Sequence, residues 1–339
     1  MDINILKEKA REKMKGFCVL CKVCDGQWCA GNVPGMGGTG SGFSFKINYQ
    51  SLKNIKFILK TIHEAKNPSL KLKMFGQEID FPVLGAPITG TKFNMGGAVT
   101  EEEYCQDVVN GCKEAGTIGM IGDTGDPTCF EAGLKAIKEA NGYGIAIIKP
   151  RENTEIIKRI KMAEEAGAIA VGVDVDGAGL VTMKLFGQPV GPKSVEDLKE
   201  LVKSAKLPFI VKGIMSVEEA QKCVEAGVAA IVVSNHGGRV LDDCEASCDV
   251  LEDIVCAVGN KITILADGGV RTGQDVLKYL ALGAKAVLVG RPIIWGSIGG
   301  RQEGVKTILE VMKKELYQSM ILTGTSDVNC VARGIIKKK

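Results

Sequence analysis

The chain has almost no net charge and no long apolar run. Lys+Arg total 43 against Asp+Glu 40, a balance of +3, and the three lysines that close the sequence account for all of it. Nothing in that balance points to a nucleic acid or a charged membrane surface as a partner. No window approaches ~18 uninterrupted apolar residues, so no membrane span is expected. The opening MDINILKEKAREKMKG is charged and amphipathic and lacks the apolar centre of a secretory signal, which predicts a cytoplasmic protein. Aromatics make up only 5%. With two histidines in 339 residues, imidazole acid–base chemistry has just two candidates, His63 and His236. What is abundant is glycine, 43 residues, and cysteine, 12. Without an export signal those thiols are expected to be free, redox-active or metal-bound rather than structural disulfides. The 45% apolar and 24% charged composition is that of a globular chain, long enough for two ordinary domains or one large α/β barrel.

Three stretches organise the sequence. Residues 1–79 read as an extension: a helix over 1–16, a cysteine-rich clip at 18–29, a glycine-rich loop at 31–42 and a second helix over 50–65, followed by a short hairpin around Gly76-Gln77. From 80 to 325 short apolar runs alternate with amphipathic stretches. Strands are expected at 81–86, 117–122, 143–148, 168–173, 208–213, 229–234, 262–267 and 286–291, with a long closing helix near 300–321. The runs are apolar throughout, as parallel strands covered on both faces should be. Ala-Gly or Leu-Gly pairs stop several helices just before the next strand. Eight such units predict an α/β fold, the (β/α)8 or TIM barrel, with residues 326–339 as a tail. A doubly wound open sheet is the rival, but the glycine-rich turn expected after its first strand is absent.

Chemistry in such a barrel sits at the C-terminal ends of the strands. There DGGVRTG follows the seventh strand and VGRP the eighth. Glycine backbone, helix N-termini and the guanidinium groups of Arg271 and Arg291 together make a phosphate site of Asp267, Gly268, Gly269, Arg271, Gly290 and Arg291. SNHGGR follows the sixth strand. His236 can take a proton near neutral pH, and Arg239 can hold a carboxylate in a bidentate pair. Lys212 ends the fifth strand, where a cation could stabilise the reduced form of a redox ring. Asp174 ends the fourth and is expected to orient His236, with Asp176 a competitor. His63, in the predicted helix 50–65, reads as structural.

SNHGGR, VKGI and LADGGVRTGQDVLKYLALGAKAVLVGRP resemble the FMN-dependent α-hydroxy-acid oxidase and dehydrogenase family, to which glycolate and lactate oxidases belong. The resemblance covers roughly residues 80–325. It implies FMN across the barrel mouth, contacted by Pro87, Ile88 and Thr89 of APIT, by Lys212 and Ser234, and by the phosphate site. It implies His236 as base, Asp174 as its partner and Arg239 on the substrate carboxylate. It also implies a homotetramer. The departures lie in the substrate pocket. The family's third-strand tyrosine and glutamine match Ala146 and Gly144, its second- and fourth-strand hydroxyl residues match Gly122 and Gly172, and no N-terminal tyrosine precedes Tyr49. A second substrate arginine is missing from the loop after Asp174, where Lys184 is the only cation.

The expected activity is oxidation of a small 2-hydroxy acid to the 2-oxo acid, as a dehydrogenase passing electrons to an unidentified acceptor. Two alternatives remain. One is an FMN-barrel isomerase like the type 2 isopentenyl diphosphate isomerase, and the other a flavin or iron–sulfur redox carrier without turnover, for which Ala146 is the best support. Cys18, Cys21, Cys24 and Cys29 stand where the family has its N-terminal tyrosine. C-x2-C-x2-C spacing resembles iron–sulfur ligation, and zinc, a redox dithiol or free thiols are the other readings. The clip is expected near the barrel mouth, and GMGGTGSG after it reads as a lid rather than an anion nest.

Overall fold

The structure, a computed structural model, describes residues 1–338, and of Val181 the backbone alone. Eight parallel strands close a barrel in chain order: Val83–Ile88, Gly119–Ile121, Ile145–Ile148, Ala170–Asp174, Phe209–Ile214, Ala230–Val233, Thr263–Ala266 and Ala286–Val289. The last pairs with the first through Val287 and Val83. Inward-facing Leu84, Met120, Ile145, Ile147, Ala170, Ile210, Val232 and Leu288 fill the barrel. Their alternates, among them Val83, Ile121, Ala146, Val171, Val211 and Val287, pack against the surrounding helices. Both faces are therefore apolar, which is why the strand sequences do not alternate.

Local signals set the helix limits. Thr100 with Glu103, Ser194 with Asp197 and Thr272 with Asp275 are reciprocal capping boxes at three helix starts. Gly167, Gly227 and Gly283 adopt positive φ just past helix ends, as their Ala-Gly and Leu-Gly pairs imply. The hairpin turns one residue earlier than expected, at Phe75-Gly76, between Leu72–Met74 and Gln77–Ile79. Its Leu72, Met74 and Ile79 join the barrel interior and plug its base.

The extension departs from expectation. Its second helix is Phe43–Asn54, not 50–65. Residues Ile55–Phe57 form a strand that pairs antiparallel with Ile336–Lys338, so the tail is part of the fold. His63 lies outside any helix and accepts a hydrogen bond from the Ala65 N–H on its Nδ1. The closing helix runs Arg291–Thr323, interrupted at Arg301, where φ is +57°. Arg301 there reaches Glu103 and Asp107.

Helix Phe43–Asn54 lies across the barrel mouth. A Cβ on Gly238 would sit 2.3 Å from the Phe45 nitrogen, and one on Gly269 would sit 2.4 Å from the Asn48 carbonyl oxygen. These glycines answer to the helix above them, beyond any need of a ligand. Asn48 ties the helix down: its Nδ2 donates to Asn235 Oδ1 at 2.7 Å, and its Oδ1 accepts from the Ser247 N–H at 3.1 Å. Asn48→Ala strands the buried Ser247 N–H and takes one of the two donors from Asn235 Oδ1, so it should lower unfolding stability by about 1–3 kcal/mol in urea titration.

Candidate active site

A cleft opens at the C-terminal rim of the barrel. It brings together Pro87, Ile88, Thr89, Lys212, His236, Arg239, Asp267, Gly268, Gly269, Arg271, Gly290 and Arg291. Lys149, Asn94, Met36 and Phe93 also line it. Ser234 is fully buried beneath it, with its Oγ accepting from the His236 N–H at 3.0 Å. Asp174 is likewise buried below the wall. Thr89 Oγ1 donates to Glu101 at 2.6 Å, and the same carboxylate accepts from the Gly90 and Thr91 N–H groups.

The acid–base group differs from the expected pair. His236 sits at φ +59°, an unusual backbone for a residue with a side chain. Its Nδ1 lies 2.8 Å from Asp176 Oδ1 and 3.5 Å from Asp174. Asp176 is therefore the direct partner, a correction to the assignment of Asp174. The reason is that Asp174 is already engaged: Lys149 Nζ donates to it at 2.6 Å and Lys212 Nζ at 3.1 Å, all three groups buried. Burial works against the Asp174 charge, but His236, Lys149 and Lys212 outweigh it and hold the carboxyl well below its usual range. Burial and then the Asp174 charge push Asp176 upward. Burial also opposes the Lys212 charge, yet Asp174, Asp176 and Asp267 raise its pKa. His236 Nε2 makes no hydrogen bond among the described residues, which leaves it to act on a ligand.

Three guanidinium groups rim the cleft, and none is paired with a carboxylate among the described residues. Arg291 stacks 3.6 Å from the Phe45 ring and donates to the Met36 carbonyl. Burial, then Arg271, pulls it down to about 9. Burial pulls Arg239 down to about 10. Arg271 donates to the Cys24 carbonyl, and its Nη2 is buried with no partner. Half-buried cations short of counter-charge, beside the Gly268-Gly269 turn, fit a dianionic phosphate. The FMN phosphate implied by the resemblance thus meets a suitable donor set.

The segment read as a lid is bound down. Arg239 Nη1 donates to the Gly35 and Gly37 carbonyls at 2.5 and 3.1 Å, and Thr39 N–H donates to the Gly238 carbonyl. Asp242 receives the N–H groups of Ser41 and Ser44. Arg239 also reaches Asn94 Oδ1 at 2.9 Å, and Nε is left without a protein partner among the described residues. The Cys24 contact places the clip at the barrel mouth.

The pocket departures need one correction. Ala146 belongs to the helix-facing layer, and a Cβ on Gly144 would meet Ile137 at 2.6 Å. Neither faces the cleft. The inward residue level with Gly172 is Ile147. The face of Ala146 is fixed by strand register, in which a slip of one residue exchanges the inner side for the outer. The missing tyrosine is real all the same, since no tyrosine lines the cleft. Lys184 is exposed and outside it. Arg151, near the third strand, is occupied by Asp123, the Thr124 carbonyl and Gln188. Sequence reasoning missed Asn94 and Phe45, and gave Lys149, one of its strand-end candidates, no role. Lys149 alone carried a signal, as a lysine ending a barrel strand.

Asp174→Asn leaves two buried ammonium groups short of their carboxylate, and should cost about 3–5 kcal/mol of unfolding stability. Asp176→Asn should cost much less. Because Asp176 is raised, its protonated form favours the fold and that contribution fades as pH rises, so the deficit of Asp176→Asn should narrow upward from about pH 4. Urea titrations of both variants across pH check this.

Comparisons with known proteins agree with this geometry. The family model described as FMN-dependent dehydrogenase matches residues 35–185 and 181–338. Residues 1–34, the clip included, lie outside the match. The 2-hydroxyacid oxidase 1 of Mus musculus is 32% identical over 333 residues, covering 86% of this chain and 87% of that protein. The L-lactate oxidase of a Nostoc species is 46% identical over 152 residues, 44% of this chain and 41% of the relative. A crystal structure of mandelate oxidase superposes with a TM-score of 0.82 at 26% identity, covering 98% of this chain and 97% of that one.

Proposed function

We propose that this chain, which belongs to the FMN-dependent dehydrogenase family, oxidises a small 2-hydroxy acid to its 2-oxo acid. The observation that carries the reading is His236 held on Asp176 in one cleft with Arg239 and the anion-binding arginines. Bound FMN supplies a ring that accepts two electrons from the substrate carbon. Arg271, Arg291 and the Gly268-Gly269 turn would hold its phosphate, and Lys212 would stand by its ring.

The protein's own work is orientation and proton transfer. Asp176 holds the imidazole by Nδ1, so Nε2 takes the substrate hydroxyl proton and the carboxylate couple favours the imidazolium that results. Arg239, with Nε unoccupied, anchors the substrate carboxylate. Its other nitrogens are fixed by Gly35, Gly37 and Asn94, which orients the guanidinium before the ligand arrives. With no tyrosine at the cleft, Asn94 and Lys149 are the side chains placed to meet the rest of the substrate. The carrier and isomerase readings are disfavoured by the relatives, which are 2-hydroxyacid oxidases.

The acceptor in this reading is an electron carrier other than oxygen, which makes the enzyme a dehydrogenase. A cytoplasmic setting suits twelve unpaired cysteines, a homotetramer follows the family, and the four thiols of residues 18–29 are given to a metal centre, iron–sulfur or zinc.

His236→Ala should slow anaerobic flavin reduction by lactate or glycolate by about 10²–10⁴-fold while FMN stays bound. An unchanged rate in stopped-flow absorbance overturns the role. Arg239→Met should raise the KM for the acid by about tenfold or more, through loss of a charge-assisted pair.

A further inference from the structure

We propose that Lys53, on the helix over the barrel mouth, is a positioning residue for the flavin phosphate. It neutralises the buried Asp275 carboxylate at the phosphate turn, and so sets how strongly that turn prefers a phosphorylated flavin over an unphosphorylated one. The inference rests on the FMN reading above.

The helix Gly273–Ala281 opens just after the Gly268-Gly269 turn. A helix N-terminus offers free N–H groups to an anion, but here they are already engaged. Asp275 Oδ2 accepts from the Arg271 N–H at 3.0 Å and from the Thr272 N–H at 3.2 Å. Glu315 Oε2 accepts from the Gly273 N–H at 2.7 Å. The turn that should draw a dianion thus carries two carboxylates of its own. Asp275 is fully buried, so solvent does little to screen its charge.

One cation answers that charge closely. Lys53 Nζ donates to Asp275 Oδ1 at 2.9 Å. Lys278 Nζ stands 3.8 Å from the same oxygen, but its hydrogen bond goes to the Leu52 carbonyl at 2.8 Å. Burial pulls Lys278 down to about 8, which leaves the partly exposed Lys53 as the firmer counter-charge.

Lys53 does not come from the barrel. It lies in the last turn of Phe43–Asn54, the helix whose Asn48 packs on Gly269. That helix therefore meets the phosphate turn and the helix after it at Asn48 on Gly269, at Leu52 on Lys278 and at Lys53 on Asp275. Without Lys53, Asp275 keeps its two backbone donors and loses its closest ammonium. Its field then opposes a phosphate held by Arg271, whose own N–H lies on that carboxylate. A flavin without the phosphate has no charge there to feel the change. By linkage, a phosphate that tightens this turn also tightens the seat of the helix.

The test compares the binding of FMN and riboflavin to the flavin-free full chain, read from the quenching of flavin fluorescence. Lys53→Met should raise the FMN Kd by about tenfold, the size of one lost charge-assisted interaction, and leave the riboflavin Kd within about twofold. Lys53→Arg should restore the FMN value. Equal weakening of both flavins would give Lys53 a packing role alone and overturn the inference, as would no weakening of either; the flavin reading stands in both cases. If Lys53→Met does not fold, hydrogen exchange of residues 43–54 in the unmodified chain decides. Saturating FMN should slow that exchange more than saturating riboflavin does, and equal slowing overturns the inference. An unmodified chain that binds neither flavin sinks the flavin reading, and this inference with it.

Discussion

Asp174 is a single buried carboxylate that receives two buried ammonium groups, Lys149 at 2.6 Å and Lys212 at 3.1 Å. Each of the three would be costly to bury alone, and together they hold the ends of the third, fourth and fifth strands at one level of the barrel. The rest of the site follows. With Asp174 saturated, His236 turns to Asp176, two residues on, and the histidine accepts a left-handed backbone to get there. Asp174 keeps its charge and pushes Asp176 upward, so two neighbouring carboxylates take different roles through their surroundings.

Beside this internally paired cluster the rim of the barrel mouth is positive. Arg239, Arg271 and Arg291 have backbone carbonyls, one amide and an aromatic ring for company, but no carboxylate. Such an arrangement is expensive in an empty protein and favourable around an anion. The N-terminal extension supplies most of those carbonyls. It is thus a wall of the cleft, fixed by the same arginines that are proposed to hold the cofactor phosphate. Arg239, proposed for the substrate carboxylate, shares this dependence: its orientation comes from Gly35 and Gly37, in a segment whose sequence suggests mobility.

The glycines of SNHGGR and DGGVRTG show how one residue can serve two demands. Their positions at strand ends point to a ligand turn, and the cleft does contain them. Gly238 and Gly269 are also the seats of helix Phe43–Asn54, where a methyl group would collide with backbone at 2.3 and 2.4 Å. The proposed phosphate site and closure of the barrel mouth therefore share the same turns.

The eight-fold rhythm of apolar runs and amphipathic helices was sufficient for the barrel, because parallel strands covered on both faces and capped helices leave a local imprint. The residues at strand ends, Lys212, His236, Arg239, Asp267, Arg271 and Arg291, were legible for the same reason: the architecture places strand ends at the site. Three things were not legible. The face of Ala146 depends on register, which a one-residue slip reverses. The partner of His236 depends on which carboxylate the lysines had already claimed, an interaction between three strands. The strand Ile55–Phe57 and the tail pair residues some 280 positions apart along the chain (Ile55 with Lys338), and no local pattern encodes that contact. Sequence by itself determined the elements and the inventory of chemical groups; tertiary structure decided which of those groups meet, because burial and charge compete over distances that the chain order does not record.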